Sequence, residues 1–361
     1  MTTEVVRVDR EHPDAGAIER AASYLRRGGL VAFPTETVYG LGVHALDRAA
    51  VLRLFEAKRR PANDPLIVHV ASLDDAGGLV SEVPATARQL AAAFWPGALT
   101  LVMCRAAAVP REVTAGLDTV AIRVPSHPVA RALLQAARLP IAAPSANLFS
   151  RPSPTSAAHV LEDLDGRIDM IVDGGPTDLG VESTVVDVTT DSPVILRPGM
   201  IGVNALRAVI PALTDAPTGA PAPTGAPAHP RTGAPAMPSP GLLSKHYAPR
   251  ARLVLYRGNE GPVGAAMRRA VEDGLARGRR IGVLATSEDA QALQGLPVAL
   301  ADLGRTADPP RFAARLYAAL RELDAQGVDV ILVRDPAGDH DLARAIRDRL
   351  QRAAAEVVEL P

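Results

Sequence analysis

The sequence KRRPANDPLIVHV, at residues 58–70, decides the fold because it ends one structural element and begins the next. Three cations come directly before Pro61, and a proline disfavours the α region for the residue that precedes it, so a helix ends at these cations. Pro65 then opens an apolar, β-branched run that predicts a strand over 66–70. That strand carries one polar side chain, His69, which needs a partner inside a sheet.

The three cations have two interpretations, and the sequence leaves both open. They complement the C-terminal dipole of the preceding helix, or they bind an anion. Lys58 and Lys245 are the only lysines in the chain, since its other basic residues are arginines. This scarcity favours a specific role for Lys58.

Helices and strands alternate on both sides of this stretch, which predicts an open α/β sheet. The segment 34–42 is rich in hydroxyls and is predicted to be a loop. The predicted helices cover 14–27, 47–58, 84–94, 127–137, 156–164 and 203–209. The predicted strands cover 30–33, 66–70, 99–103, 120–124, 140–143, 170–173, 183–188 and 194–197.

A change in composition after residue 210 predicts the domain organisation. The sequence Thr-Gly-Ala-Pro-Ala recurs at 218, 224 and 232 in a proline-dense segment without periodic apolar residues, which is typical of a linker. The βα pattern then resumes with strands at 252–256, 281–285, 298–301, 328–333 and 356–360 and helices at 262–277, 310–325 and 340–353. We therefore predict a first domain over 1–210, a linker over 211–250, and a smaller parallel α/β domain over 251–361.

Composition bounds the function. A net charge of -1 over 361 residues gives no overall attraction to nucleic acid or to an anionic membrane. Cys104 is the only cysteine, which excludes an intramolecular disulfide, and its apolar neighbours predict that it packs in the core. No apolar run reaches membrane-spanning length and the first residues are polar, so a cytoplasmic protein is the expectation.

Familiar catalytic signatures are largely missing from the sequence. The segment 40–45 fits a dinucleotide pattern with alanine in third place, but it does not directly follow a predicted strand. The sequence contains neither a Walker A motif nor a Gly-x-Ser-x-Gly elbow. The eight histidines have no metal-ligand spacing, so no metal site on the protein is predicted.

Cations and hydroxyls instead recur at the ends of predicted elements, where ligands bind in open α/β sheets. For any single serine a turn or a helix cap is the commoner role, but converging arginines indicate an anionic ligand. The residues in this pattern are Arg60, Arg123, Arg197, Thr37, Ser145, Ser153 and Ser183.

Several motifs together resemble the YrdC-type family. They are PTETVYGLG at 34–42, Lys58-x-Arg60 with NDPLIVH at 63–69, WPG at 95–97, PSAN at 144–147, ESTVVD at 182–187 and LRPG at 196–199. A late segment, from SPG at 239–241 to HYAP at 246–249, and the second α/β domain extend the likeness over nearly the whole chain. The chain is similar to the long, two-domain threonylcarbamoyl-AMP synthases.

This resemblance implies a YrdC-like twisted open mixed sheet with helices, followed by a smaller Rossmann-like α/β C-terminal domain. It implies a nucleotidyltransferase that converts L-threonine, bicarbonate and ATP, with Mg²⁺, into threonylcarbamoyl-AMP and pyrophosphate. The product serves the modification of the tRNA adenosine next to the anticodon. The implied partners are the downstream tRNA threonylcarbamoyl-transferase proteins, whereas direct contact with tRNA stays open.

The resemblance also implies roles for individual residues. Lys58 and Arg60 are the implied catalytic residues. The implied threonine pocket consists of Thr37, His69, Arg123, Ala143 and Ser183. The implied ATP contacts are Arg60, Asp64, Thr119, Ser145, Asn147, Ser153, Arg197 and Tyr247. Asp64 departs from the family, which commonly has asparagine or histidine before the proline, and Tyr247 implies that residues 239–249 form an active-site lid.

Two other functions remain possible at this stage. An RNA-binding module for tRNA or ribosome maturation fits the fold, although the near-neutral charge and the 3% aromatic content argue against base stacking. A carbamoyl-transfer enzyme of the hydrogenase-maturation type contains a similar domain. That class carries zinc-finger cysteines, and this chain has only Cys104.

Overall fold

The structure is a computed structural model that describes residues 2–215, 236–243, 245–336, 338 and 340–361. Half of the predicted linker, residues 216–235, lies outside the described residues. The chain forms two compact units. The first unit comprises Met1–Phe149, Pro154–Asp178 and Glu182–Leu243, and the second comprises Ser150–Ser153, Leu179–Val181 and Ser244–Pro361.

The first unit is a large mixed sheet with helices. Its strands are β1 (Glu4–Arg7), β2 (Val31–Pro34), β3 (Tyr39–His44), β4 (Ile67–His69), β5 (Leu99–Cys104), β6 (Thr119–Arg123), β7 (Ile141–Ala142), β8 (Met170–Asp173), β9 (Thr184–Asp187), β10 (Val194–Arg197) and β11 (Thr214–Asp215). Its helices are α1 (Ala15–Arg26), α2 (Arg48–Lys58), α3 (Ala85–Phe94), α4 (Pro128–Ala137), α5 (Ala157–Leu164) and α6 (Val203–Val209).

Strand order explains how distant parts of the sequence meet. The order is β1-β8-β2-β3-β7-β4-β6-β5-β9-β10-β11, with parallel and antiparallel pairs in the same sheet. Strand β4 runs parallel to β6, and β6 runs antiparallel to β5. The predicted mixed, open α/β sheet is confirmed.

Both faces of the sheet are covered. Along β2 the buried side chains alternate between two apolar clusters: Val31 and Phe33 belong to one cluster, while Ala32 belongs to the other. The first of these clusters includes residues of α1 and α4, and the second includes residues of α2 and α3. Burial on both faces is the reason that these strands read as continuous apolar runs in the sequence.

The opening stretch behaves as its prolines predict. Helix α2 ends at Lys58, and Arg59 follows in a left-handed conformation with φ of 52°. The amide of Arg60 still donates to the carbonyl of Phe55 at 2.9 Å, which closes the last turn. The cationic helix end is confirmed, and β4 is two residues shorter than predicted.

The predicted loop over 34–42 is wrong, because β2 and β3 form an antiparallel hairpin there. The hydroxyl of Thr35 donates to the carbonyl of Val38 at 2.7 Å, so a side chain closes the turn and only 35–38 are irregular. The glycines that imitate a dinucleotide motif allow strands to pack closely. A Cβ at Gly42 would lie 2.8 Å from side-chain atoms of both Ile141 and Phe33.

The prediction that Cys104 packs in the core is also wrong. Cys104 is the last residue of β5 and its side chain is exposed. The five residues before it in the strand are all buried. The apolar run therefore predicts a buried strand correctly, but it does not predict the exposure of the strand's last residue.

The second unit is a separate parallel sheet. Its strands are β12 (Arg252–Arg257), β13 (Ile281–Ala285), β14 (Ala299–Asp302), β15 (Val330–Arg334) and β16 (Glu356–Glu359), in the order β14-β13-β15-β12-β16. Its helices are α7 (Glu260–Ala276), α8 (Ser287–Ala292), α9 (Pro309–Ala325) and α10 (Asp341–Ala353). Every strand pair in it is parallel, as predicted. Across the described parts of both units, no helix is long and apolar enough to cross a membrane.

Close strand packing at Gly42 predicts a specific loss of stability. We expect Gly42→Ala to lower the unfolding free energy of the first unit by about 1–3 kcal/mol, because the new methyl group would overlap Ile141 and Phe33. Gly78→Ala is the matched control, since a Cβ there would meet no atom within 4 Å. Urea unfolding followed through Trp95, the only tryptophan, reports on the first unit. Equal midpoints for the two variants would contradict this explanation.

Candidate active site

The end of β4 and the end of β6 form the centre of the site. Parallel pairing sets His69 directly opposite Arg123. The Arg123 side chain is almost wholly buried, and its Nη2 donates to Oε1 of Glu36 at 2.7 Å. Its Nε donates to the carbonyl of Gly97 at 3.3 Å. A buried guanidinium is thus fixed at the carboxyl end of two parallel strands, where open α/β sheets bind ligands.

Glu36 lies within the PTETVYGLG motif at 34–42 and had no predicted role. Its Oε2 accepts a hydrogen bond from the amide of Ser126 at 3.2 Å. Burial opposes ionisation of Glu36, but the charge and the hydrogen bond of Arg123 outweigh it and hold the pKa of the carboxyl below its ordinary value. The sequence did contain a signal for a functional role of Glu36, since it is an acid between two threonines, beside an apolar strand.

His69 is neutral at physiological pH. Its ring lies edge-on to Phe33, with 6.4 Å between the ring centroids. Among the described residues its Nδ1 has no hydrogen-bond partner. Burial, reinforced by the positive charge of Arg123, lowers the pKa of His69 to about 3. The polar residue in the predicted strand therefore brings a neutral imidazole to the site.

Thr37 lies in the turn between β2 and β3, and Ala143 lies directly after β7, the strand that pairs with β4. The hydroxyls of Thr37 and Thr35 are 2.8 Å apart inside the β2–β3 turn. The amide of Ala143 donates to the carbonyl of Ile67 at 2.9 Å, which fixes the chain just after β7 against β4. Both residues are buried.

Ser183 connects Arg123 to a second buried arginine. Thr100 pairs with Arg123 across β5 and β6, and its hydroxyl lies 2.8 Å from that of Ser183. Arg197 then donates from Nη2 to the Ser183 carbonyl at 2.9 Å and to the Ser183 hydroxyl at 3.2 Å. Thr100, which the sequence analysis missed, was signalled by being the one hydroxyl in an apolar strand.

The later part of the predicted linker contacts this second arginine within the first unit. Nη1 of Arg197 donates to the carbonyl of Pro240 at 3.0 Å. The amide of Met237 donates to the carbonyl of Asn63 at 3.0 Å. Residues 237–240 therefore pack against the side of the site that carries Arg197 and the turn after α2.

Arg60 and Asp64 form a buried ion pair in that turn. Nη2 of Arg60 lies 2.8 Å from Oδ2 of Asp64 and also donates to the carbonyl of Pro65 at 2.8 Å. Burial raises the pKa of Asp64, against the charges of Arg60 and Lys58. Thr119 lies at this end of the sheet, because extending the β4–β6 register places it opposite Pro65, about 13 Å along β6 from Arg123.

Lys58 holds the PSAN loop to the end of α2. It is fully buried, and its Nζ donates to the carbonyls of Ser145 and Asn147. Burial, then the charge of Arg60, lowers the pKa of Lys58 well below its ordinary value. The side-chain amide of Asn147 donates to the carbonyl of Leu148 at 2.7 Å. The motifs that contain Lys58 and Asn147 are thus in direct contact.

Two of the predicted ATP contacts, Ser153 and Tyr247, belong to the second unit. Both are buried, and Tyr247 has a left-handed backbone with φ of 61°. Its ring lies 5.5 Å from that of Tyr317, and the guanidinium of Arg349 lies 5.7 Å from its centroid. Their contact with ATP stays a prediction.

The other predicted residues occupy the first unit as two groups. Arg123, His69 and Ser183 belong to one group, which also includes Glu36, a residue that was not predicted. Arg60, Asp64 and Lys58 belong to the other. No cluster of three potential metal-ligating side chains occurs in the described part of the chain. The arrangement of buried arginines, hydroxyls and a neutral imidazole suits an anionic or zwitterionic ligand.

Comparisons with known proteins identify the class. Residues 23–199 match the family model described as telomere recombination, and residues 201–355 match the C-terminal domain of threonylcarbamoyl-AMP synthase. The Pyrococcus abyssi threonylcarbamoyl-AMP synthase is 42% identical over 353 residues, which are 96% of either chain. The Bacillus subtilis enzyme of the same name is 45% identical over 338 residues, covering 93% of this chain and 92% of that protein.

Solved structures agree with these relatives. The crystal structure of Pyrococcus abyssi Sua5 complexed with L-threonine has a TM-score of 0.89 and 40% identity, covering 99% of this chain and all of that one. Escherichia coli YciO has a TM-score of 0.51 at 26% identity and covers 56% of this chain and 99% of its own. The chain therefore belongs to the two-domain threonylcarbamoyl-AMP synthase family.

The low pKa of His69 predicts a pH-dependent loss of stability. The unfolded state takes up a proton near pH 6.5, whereas folded His69 does so only near pH 3, so stability is lost as pH falls through this window. Between pH 6.5 and 5 we expect the unmodified chain to lose about 1–2 kcal/mol more unfolding free energy than His69→Gln. The exposed His12 supplies the control, His12→Gln. Parallel curves for His69→Gln and the unmodified chain would contradict the prediction.

Proposed function

We propose that this chain is an L-threonylcarbamoyladenylate synthase, which makes threonylcarbamoyl-AMP and pyrophosphate from L-threonine, bicarbonate or CO₂, and ATP. One observation carries the proposal: the buried Arg123, opposite His69, lies in a fold that superposes over its whole length on a relative complexed with L-threonine. The reaction makes the chain a nucleotidyltransferase. Its product would serve the tRNA adenosine next to the anticodon through downstream transferase proteins.

The threonine side of the site is assigned to five residues. Arg123 would bind the carboxylate through a charge-assisted hydrogen bond from its guanidinium. In the described chain its Nη1 makes no hydrogen bond and remains available for this. His69 and the hydroxyls of Thr37 and Ser183 would contact the rest of threonine, and Ala143 would bound the pocket.

The nucleotide side is assigned to the cations around the turn after α2. Arg60 and Arg197 would neutralise phosphate charge, with Thr119, Ser145, Asn147, Ser153 and Tyr247 as further contacts. Lys58 would act by holding the PSAN loop, since its ammonium already binds two carbonyls of that loop. Mg²⁺ would arrive with ATP as part of the substrate. Asp64 pairs with Arg60, which removes the repulsion that a free carboxylate would exert on phosphate.

The chemistry requires no protein nucleophile. The amine of threonine adds to CO₂ and loses a proton to give a carbamate. A carbamate oxygen then attacks the α-phosphorus of ATP, and the bond to pyrophosphate breaks. Such a reaction depends on positioning and on neutralising developing charge, which buried arginines and the substrate's Mg²⁺ supply.

Pyrophosphate release from ATP tests the proposed function. We expect release to require both L-threonine and bicarbonate, because the attacking carbamate needs both. Each is omitted in turn, and D-threonine replaces the L form as a control for specific binding. Release that persists without either substrate would overturn the proposal. Salt-sensitive tRNA binding without any release would favour the RNA-binding alternative.

We further propose that residues 239–249 act as a lid. Support comes from the residues at its start, where the Pro240 carbonyl accepts from Arg197 within the first unit. Arg197 is assigned to bind phosphate, so a segment that contacts it lies where it can keep water away from the product. That product is a mixed anhydride, which hydrolyses readily.

Truncation tests the lid. A chain ended after Asp215 should retain the circular dichroism and Trp95 emission of a folded first unit. It should accumulate at least about tenfold less threonylcarbamoyl-AMP per pyrophosphate released, because water reaches the anhydride and hydrolyses it. A chain ended after Arg250 keeps the segment and is the matched control. An equal yield of threonylcarbamoyl-AMP per pyrophosphate from the two chains would refute the lid.

A further inference from the structure

We infer that Glu36 is a positioning residue, which orients the Arg123 guanidinium for the carboxylate of the amino-acid substrate. This inference rests on the proposed function. It adds a role for a residue that contacts no ligand itself.

Both carboxylate oxygens of Glu36 are already used by the protein. Oε1 accepts from Nη2 of Arg123 at 2.7 Å, and Oε2 accepts from the amide of Ser126 at 3.2 Å. The amide of Ser126 belongs to the loop that leads from β6 to α4. Glu36 therefore links its hairpin turn to the chain beyond Arg123, which suits positioning better than direct binding of substrate.

A second hydrogen bond, to the backbone carbonyl of Gly97, fixes Nε of the guanidinium. That carbonyl accepts from Nε of Arg123 at 3.3 Å, while the Gly97 amide donates to Val124 at 2.8 Å. A Cβ at Gly97 would lie 2.5 Å from the carbonyl oxygen of Phe94, so only glycine fits this tight turn. Arg123 is thus held at Nε and Nη2, and Nη1 is the atom left for a ligand.

Charge neutralisation explains why this orienting group is an acid. A buried guanidinium without a counter-ion is strongly destabilising, and the carboxylate of Glu36 compensates it before substrate arrives. Because Glu36 binds one side of the guanidinium, a substrate carboxylate at Nη1 can add to the pair without displacing it. A neutral amide at position 36 would keep the shape of the contact but lose its charge.

Steady-state kinetics of Glu36→Gln test this role. We expect KM for L-threonine to rise about tenfold, because one charge-assisted hydrogen bond that aligns Arg123 is weakened. The kcat and the KM for ATP should stay within about twofold, since the nucleotide residues are untouched. Glu36→Asp restores the charge on a shorter side chain and should give an intermediate KM for threonine.

A second buried ion pair supplies the matched control. Nη2 of Arg334 lies 2.8 Å from Oδ1 of Asp289 in the second unit, and both side chains are at most 9% exposed. Asp289→Asn removes the charge of this carboxylate without changing the side-chain length, as Glu36→Gln does for Glu36. It should leave the KM for threonine unchanged, which separates loss of a buried charge from loss of positioning.

A double-mutant cycle isolates the path through Arg123. Arg123→Ala alone should raise KM for threonine more than that for ATP, and adding Glu36→Gln should raise it no further. Additive effects, or a Glu36→Gln KM no higher than that of Asp289→Asn, would overturn this inference alone. If the unmodified chain releases no pyrophosphate in response to threonine, the proposed function fails and this inference fails with it.

Discussion

Every cation at the centre of the first unit is removed from water, and this constraint shapes the site around it. Lys58, Arg60, Arg123 and Arg197 are each at most 8% exposed. A buried charge is tolerable only where hydrogen bonds and opposite charges replace its hydration. Two carbonyls of the PSAN loop accept hydrogen bonds from Lys58. Asp64 pairs with Arg60, Glu36 pairs with Arg123, and Ser183 accepts hydrogen bonds from Arg197. Loops that carry no regular structure are thereby fixed at defined positions.

Much of the fold follows from local patterns. Proline, glycine and apolar periodicity predicted most helices and strands, and they located the helix end at Lys58. They failed at 34–42, where the Thr35 side chain replaces a backbone hydrogen bond and shortens the loop to a turn. A hydroxyl-rich segment predicts a loop by composition, but it does not reveal which hydroxyl closes a hairpin.

The site was harder to predict from the sequence than the fold, because its contacts depend on strand register. Arg123 and His69 could each be singled out as a polar group at a strand end. Pairing between strands that are far apart in the chain places His69 and Thr100 on either side of Arg123, and Thr100 in turn contacts Ser183. Glu36 was overlooked for the same reason: its partner is 87 residues away. The placement of Ser153 and Tyr247 in the second unit was equally hidden from local pattern.

The burial of Lys58 has a practical consequence for chemical labelling. Of the two lysines in the chain, Lys58 is enclosed and hydrogen-bonded, whereas Lys245 is exposed. An amine-directed reagent applied to the folded protein therefore has one lysine to modify, two residues before Tyr247. A fluorophore attached there would lie within the segment assigned as a lid, and unfolding would be signalled by labelling of the second lysine, Lys58.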